Sequence, residues 1–290
     1  MKYLIVKAWL GFGDRLESLK MAVKYAIKYN LQIYVDWTDA IWSHGDESFY
    51  KYFDLVNMPT LKSIDDIPAD ATVYPEYWVG KLKEPFTFDL LNKRTEYNLD
   101  LGILNKEYPY DVIVFSSIGN RELYPDSEFF GKVFRVIHPK ILKEVKERQI
   151  KYKLSSTVGI HIRGTDRVKN QYKREMSIQY LALHSITFGS LSGKQMVCVS
   201  DDKQSFEIWK RFHPQTILFS NESLKQSSTK GNHNTPAEEL KTSKDDMNIE
   251  MLIDFFTLAS CERVLSTYRD SRFYRESTRL HPYINMICNG

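Results

Sequence analysis

Cysteine is scarce: the 290-residue chain has three, Cys198, Cys261 and Cys288, far apart and each in an apolar run. An odd, scattered set of this kind argues against a disulfide framework and reads as buried, reduced thiols. Neither a Cys-x-x-Cys nor a His-Glu-x-x-His pattern occurs, so no metal site is expected. No apolar run approaches the roughly 18 residues that a membrane span needs. The N-terminal stretch "MKYLIVKAWLGFGD" is too short for a span and lacks a signal-peptide cleavage site, so a soluble, cytoplasmic protein is expected. Excess charge is also missing. A net charge of +3 predicts neither nucleic-acid nor membrane binding through bulk electrostatics. No repeat of fixed period is present, which excludes a solenoid.

What is present is an alternation of short apolar runs with helical patterns. "YLIV" at 3–6 is a strand candidate. "DRLESLKMAVKYAIKYN" follows at helical spacing, with Asp14 and Glu17 set as a capping box and Asn30 placed as its C′ residue. "LQIYVDW" is the next strand, giving β-α-β, the signature of a parallel sheet. "DVIVFSS" at 111–117 is a further strand and 140–150 a charged helix. The rhythm then restarts with "STVGIHI" (strand), "SIQYLALHSITF" (helix), "KQMVCVS" (strand), "DKQSFEIWKRF" (helix) and "TILFS" (strand). "NIEMLIDFFTLASC" (helix), "RVLS" (strand) and "SRFYRESTRL" (helix) complete it. The expectation is an α/β protein of two doubly wound, Rossmann-like domains, 1–150 and 151–290, facing across a cleft. Residues 221–246 are polar and aperiodic and read as a long loop, either a lid or a disordered segment. Trp37, Trp42 and Trp78 suit a packed core or stacking on sugar rings.

Four polar clusters stand at expected strand ends. "LGFGDRLESL" sets Gly11 and Gly13 between a strand and a helix start, where free N–H groups suit an anion. Leu16 occupies the place of the third glycine of a dinucleotide fingerprint, so the stretch reads equally as a structural turn. In "GIHIRGTDRV" (159–168), His161 and Arg163 share one side of a buried strand. An arginine there needs an anionic partner, either a carboxylate (Asp166, Asp201 or Asp202) or a phosphate whose oxygens match its fork. "VCVSDDK" places Asp201 and Asp202 at a helix start, as caps or as ligand acceptors. Ser266 and Thr267 sit at another strand-to-helix junction, as a cap or a phosphate contact. Clusters at successive strand ends of one α/β domain converge on one sheet edge, which fits a doubly negative phosphate ligand. The basic run 167–174 reads as an exposed loop beside that ligand rather than as an RNA-binding element.

Taken in order, these pieces resemble the fucosyltransferase superfamily, in particular its α1,6 and nodulation-type members. "GIHIRGTDRV" is similar to that family's His-x-Arg-Arg-Thr-Asp-Lys-Val element. "VCVSDDKQSFEIWKRFHPQTILFS" resembles the second element, and "MLIDFFTLASCERVLSTYRDSRFYRES" the third. "GFGDRLESL" resembles its N-terminal Gly-x-Gly-Asn-Arg-Leu loop. The resemblance spans most of 159–280 and the N-terminal loop; 40–140 is outside it.

The resemblance implies a GT-B fold, GDP-fucose as donor substrate with no cofactor, and inverting, metal-independent transfer to a glycan or glycoconjugate. It implies donor contacts at Gly11, Gly13, Asp14 and Arg15. It also implies His161, with Arg163 on the diphosphate and Asp166 supporting it, and Asp201 and Asp202 on the guanine and ribose side. Asp245 or Asp246 matches an acidic position before the third element, and Ser266, Thr267 and Ser271 match the phosphate side. The chain departs from the pattern at three places. Gly164 replaces the second arginine, Arg167 replaces a lysine, and Thr-Tyr-Arg-Asp replaces Thr-Phe-Ser-Ser, with Arg269 as a substitute phosphate ligand. The expected base is a carboxylate: Glu175, then Asp14, then Asp36. Two other readings stay open: a transferase with a different nucleotide-sugar donor, and a non-catalytic nucleotide-sugar-binding protein.

Overall fold

The architecture comes from a computed structural model, which describes residues 2–92, 106–115, 127–165, 170–187, 193–221, 239 and 242–289. Two compact units make up the chain: Met1–His138 with Asn285–Gly290, and Pro139–Ile284.

In the first unit, β1 (Tyr3–Lys7) leads through α1 (Phe12–Lys28) to β2 (Gln32–Asp36). Every residue of β1 is buried, as expected for a parallel strand covered on both faces. α1 begins earlier than its sequence pattern suggests. Gly11 is the N-cap, and its carbonyl accepts from the backbone N–H of Asp14 and Arg15. The expected Asp14/Glu17 capping box is therefore not formed; Asp14 lies in the first turn and Glu17 is buried. Asn30 does take the left-handed conformation, φ 52°, just past the helix.

The stretch without a family likeness supplies α2 (Phe49–Tyr52), β3 (Phe53–Leu55), β4 (Val73–Tyr74) and α3 (Phe88–Asn92). It continues with β5 (Val112–Phe115), α4 (Ser127–Val133) and β6 (Phe134–Val136). The main sheet runs β2-β1-β5-β4, all parallel, and β3 pairs antiparallel with β6. Trp78 packs with Ile5, Val112 and Val114 in one core cluster. Trp37 and Trp42 pack edge-on to each other beside Phe12, Phe49 and Phe53. All three tryptophans are buried, so of the two readings given to them core packing is the one realised.

The second unit starts with α5 (Pro139–Lys151), then β7 (Val158–Ile162), α6 (Gln171–Thr187), β8 (Met196–Ser200) and α7 (Lys203–Phe212). β9 (Ile217–Leu218), α8 (Lys244–Ala259), β10 (Arg263–Ser266), α9 (Arg272–Leu280) and α10 (Ile284–Asn289), whose last residues belong to the first unit, follow. The sheet order is β10-β7-β8-β9, all parallel. Gly159 is what lets α8 pack closely on β7: a Cβ there would come within 2.9 Å of Leu258 and 3.1 Å of the Cys261 sulfur. Successive strands step outward from β7 to β9, and the chain then returns through α8 to the other side of β7. The strand order thus reverses at β7, the position where open α/β sheets bind ligands.

Two expectations change here. Residues 244–246, read as the end of the polar loop, form the first turn of α8, which Ser243 caps by accepting from the Asp246 N–H. Residues 222–238, 240 and 241 of that loop lie outside the described residues. The basic run is not all exposed loop either: Asn170 accepts from the Lys173 N–H at the start of α6, and Arg174 is buried. Its residues 167–169 are outside the described set.

Candidate functional site

At the switch point of the second unit, the ends of β7, β8 and β10 are cross-linked by side chains. His161 Nδ1 lies 2.8 Å from Ser266 Oγ across the β7–β10 crevice. Ser266 Oγ in turn donates to the Tyr268 carbonyl at 3.1 Å, so the proton of the first contact belongs to His161 Nδ1. Burial, helped by Arg163, pushes the imidazole down to about 3, and His161 is neutral under ordinary conditions. Phe273 stacks on its ring at 5.5 Å between centroids. Two residues on, the Arg163 N–H donates to Thr267 Oγ1 at 3.0 Å, and the Thr267 N–H donates to the His161 carbonyl at 3.1 Å. Strand β10 is thereby locked to β7 at its open end.

Asp201, at the end of β8, gathers the residues that follow β7. It accepts from the Gly164 N–H and from Thr165 Oγ1, both at 2.6 Å, and pairs with Arg163 Nη1 at 3.1 Å. The Arg163 side chain keeps 20% of its surface open. A guanidinium aimed from a strand end by the Asp201 carboxylate, with 20% of its side chain still accessible, suits an anionic ligand.

Asp202 plays a different part from Asp201. It is fully buried and caps α7, accepting from the Ser205 N–H and Ser205 Oγ at 2.9 Å each. Burial raises its carboxyl above the ordinary range. Arg174 approaches it, Nε to Oδ2 3.8 Å, while Arg174 Nη1 donates to Gln204 Oε1 at 2.8 Å. The expected ligand contact at Asp202 is thus replaced by a capping and ion-pair role, because its oxygens turn inward. Arg174 and Gln204 were not singled out from the sequence; the only signal was an arginine at the helical position where α6 turns toward the sheet.

The family's second arginine cannot be housed at Gly164. A Cβ there would lie 1.6 Å from Asp202 Oδ2 and 2.5 Å from Ser205 Oγ. Ser271 is the N-cap of α9, accepting from the Tyr274 N–H, and Arg269 is exposed in the preceding turn. Glu175 is partly exposed on α6 and accepts from Gln171 Nε2 at 3.1 Å. Asp246 accepts from Ser243 Oγ at 2.7 Å and faces Lys140 at 3.6 Å. Asp166 lies outside the described residues.

The N-terminal cluster sits on the first unit. Gly11 caps α1 with no side-chain hydrogen bond, and Gly13 and Asp14 lie in the first turn. Arg15 is committed elsewhere: it grips both oxygens of Asp39 at 2.8 and 2.7 Å and donates through Nε to the Leu10 carbonyl at 3.0 Å. Asp36 is also engaged, with Lys7 on one oxygen and Thr38 on the other.

Among solved structures, the NodZ α-1,6-fucosyltransferase soaked with GDP-fucose matches 97% of this chain and 94% of its own, at 17% identity and a TM-score of 0.70. NodZ from Bradyrhizobium, in selenomethionine form, matches 96% of this chain and 92% of its own, at 16% identity and TM-score 0.69. POFUT1 in complex with GDP-fucose matches 99% and 95%, at 11% identity and TM-score 0.55. The chain has the fucosyltransferase fold. No family model matches its sequence, and no curated protein does. The likeness to these structures therefore lies in the fold, at 11–17% sequence identity. Among the described residues, no helix is long and apolar enough to cross a membrane.

Proposed function

We propose that the protein transfers L-fucose from GDP-fucose to a hydroxyl of a glycan or glycoconjugate, with inversion and without a metal ion. The observation that carries this reading is the Arg163–Asp201 pair at the switch point of the second unit. It stands in a fold shared with solved structures that hold GDP-fucose.

In this reading the second unit binds the donor and the first unit the acceptor. The diphosphate lies against the accessible face of Arg163 and the strand-end backbone beside Thr267 and Ser271, with Arg269 as a second cation. As the glycosidic C–O bond of the donor breaks, charge accumulates on the GDP oxygens. A fixed guanidinium stabilises it without reorganising, commonly the largest catalytic effect. His161, neutral and donating its one ring N–H to Ser266, is a spacer at the strand end and not a second cation. Asp201 holds the Arg163 guanidinium in place. The sugar passes through an oxocarbenium-like state, and a carboxylate takes the acceptor proton. Glu175 is the candidate for that step, because it is partly exposed. Asp36 is a poor one, because both of its oxygens are engaged in a buried pair. Asp14, Gly11 and Gly13 belong to the start of α1 and stand as donor- or acceptor-side contacts.

The test is a nucleotide panel followed by turnover. GDP is expected to raise the melting temperature more than UDP, ADP or CMP, with EDTA making no difference. A preference for UDP would move the assignment to another nucleotide-sugar donor.

A further inference from the structure

The first unit has its own switch point, at the carboxyl end of β1. β1 lies between β2 on one side and β5 on the other, so a ligand crevice is expected beyond its carboxyl end. The chain leaving β1 there runs Lys7-Ala8-Trp9-Leu10-Gly11. Leu10 has φ 74°, a left-handed conformation that residues with a Cβ avoid. It is held there: Arg15 donates to the Leu10 carbonyl at 3.0 Å, and Asp39 grips the same guanidinium with both oxygens. This pair is buried, so the turn has a rigid clamp beneath it.

The clamp sets Trp9 at the edge of the core, partly exposed, with Phe88 beside it at 6.5 Å between ring centroids and a 45° tilt. Phe88 is 57% exposed. Lys7 fixes the approach of the Phe88 segment, donating to the Glu84 carbonyl at 2.6 Å while paired with Asp36. Isolated exposed aromatics are common on protein surfaces. Here Trp9, beside a clamped turn at a switch point, is met by Phe88 from the start of α3, and the pair is a constructed feature.

We propose that Trp9 and Phe88 form a stacking platform for a pyranose ring of the acceptor glycan. A sugar ring presents a face of weakly polarised C–H groups, which an aromatic ring meets with its electron-rich face. The identity of the occupant rests on the transferase reading; the platform itself does not.

The experiment titrates the full-length protein with neutral tetrasaccharides of glucose, galactose, mannose and N-acetylglucosamine, by tryptophan fluorescence and calorimetry, with GDP titrated in parallel. At least one tetrasaccharide is expected to bind. Phe88→Ala and Trp9→Ala are expected to weaken it about tenfold, as removal of a central aromatic contact does, with GDP affinity near wild type. Phe88 is exposed, so its variant carries the test if Trp9→Ala fails to fold. Unchanged glycan binding in Phe88→Ala overturns the platform. So does loss of GDP affinity in that variant, which makes the site a nucleotide site, or the absence of glycan binding in a wild type that binds GDP. A wild type that binds a tetrasaccharide through Phe88 but does not bind GDP leaves the platform standing and removes the donor assignment.

Discussion

The position of a Cβ on Gly164 falls 1.6 Å from Oδ2 of Asp202, so residue 164 has no room for any side chain while Asp202 caps α7. The consequence is that Gly164 is a packing requirement of this chain. Gly164→Ala is expected to destabilise by about 1–3 kcal/mol, the usual cost of overpacking a filled site, and Gly164→Arg by more. Thermal unfolding checks this; a neutral Gly164→Ala would mean that the cap is not formed as described.

Arg163→Ala removes the accessible guanidinium at the β7 end. A loss of about 2–4 kcal/mol in transition-state stabilisation is expected, read from kcat/KM with GDP-fucose. Arg163→Lys keeps the charge but loses the fork, and is expected to fall between the two. Folding should be little changed in either, because the side chain is partly exposed.

Asp202 and Arg174 form a buried pair, and removing one partner strands the other. Arg174→Met is expected to destabilise by about 3–5 kcal/mol, and Ser205→Ala by less. Equilibrium denaturation distinguishes them. A small effect of Arg174→Met would mean that Gln204 and Asp202 do not depend on it.

The pH dependence of stability follows from two buried groups. His161 has its proton affinity lowered from an ordinary 6.5 to about 3. Between those values the unfolded chain binds a proton that the native state does not, so this group lowers stability as pH falls below about 6.5. Asp254 acts in the opposite sense. Burial raises it from 3.8 to about 6, although Arg148 and Asn221 hold its carboxylate. It favours the native state below pH 3.8, and that contribution disappears as pH rises through about 6. His161→Asn is expected to flatten the acid limb of the stability curve. In wild type the His161 ring resonances should not titrate near pH 6.5; a normal titration there contradicts its burial.

Much of this was legible from sequence because buried parallel strands announce themselves. "YLIVK", "VGIHI" and "MVCVS" are mostly apolar and buried at every residue, and all three are central strands. "RVLS" is β10 residue for residue, with Ser271 capping α9. Helix starts were less legible. α1 begins at Phe12 because Gly11 can cap through its carbonyl, which no side-chain signal reveals. α6 begins at Gln171, inside a basic run that reads as exposed because the buried partner of Arg174, Asp202, lies on a different strand-to-helix junction far along the chain. The split of roles between Asp201 and Asp202 was also hidden. Adjacent residues at a strand end point to opposite sides, and only the fold shows which one meets Arg163 and which one meets Ser205.

Transfer itself is the most direct test of the central proposal. Labelled GDP-fucose is incubated in EDTA with the protein and a panel of fucose-free glycans, with Arg163→Ala as control. Release of GDP with label on a glycan, lost in the variant, is the expected result. Intact GDP-fucose across the panel, or equal transfer by Arg163→Ala, contradicts it.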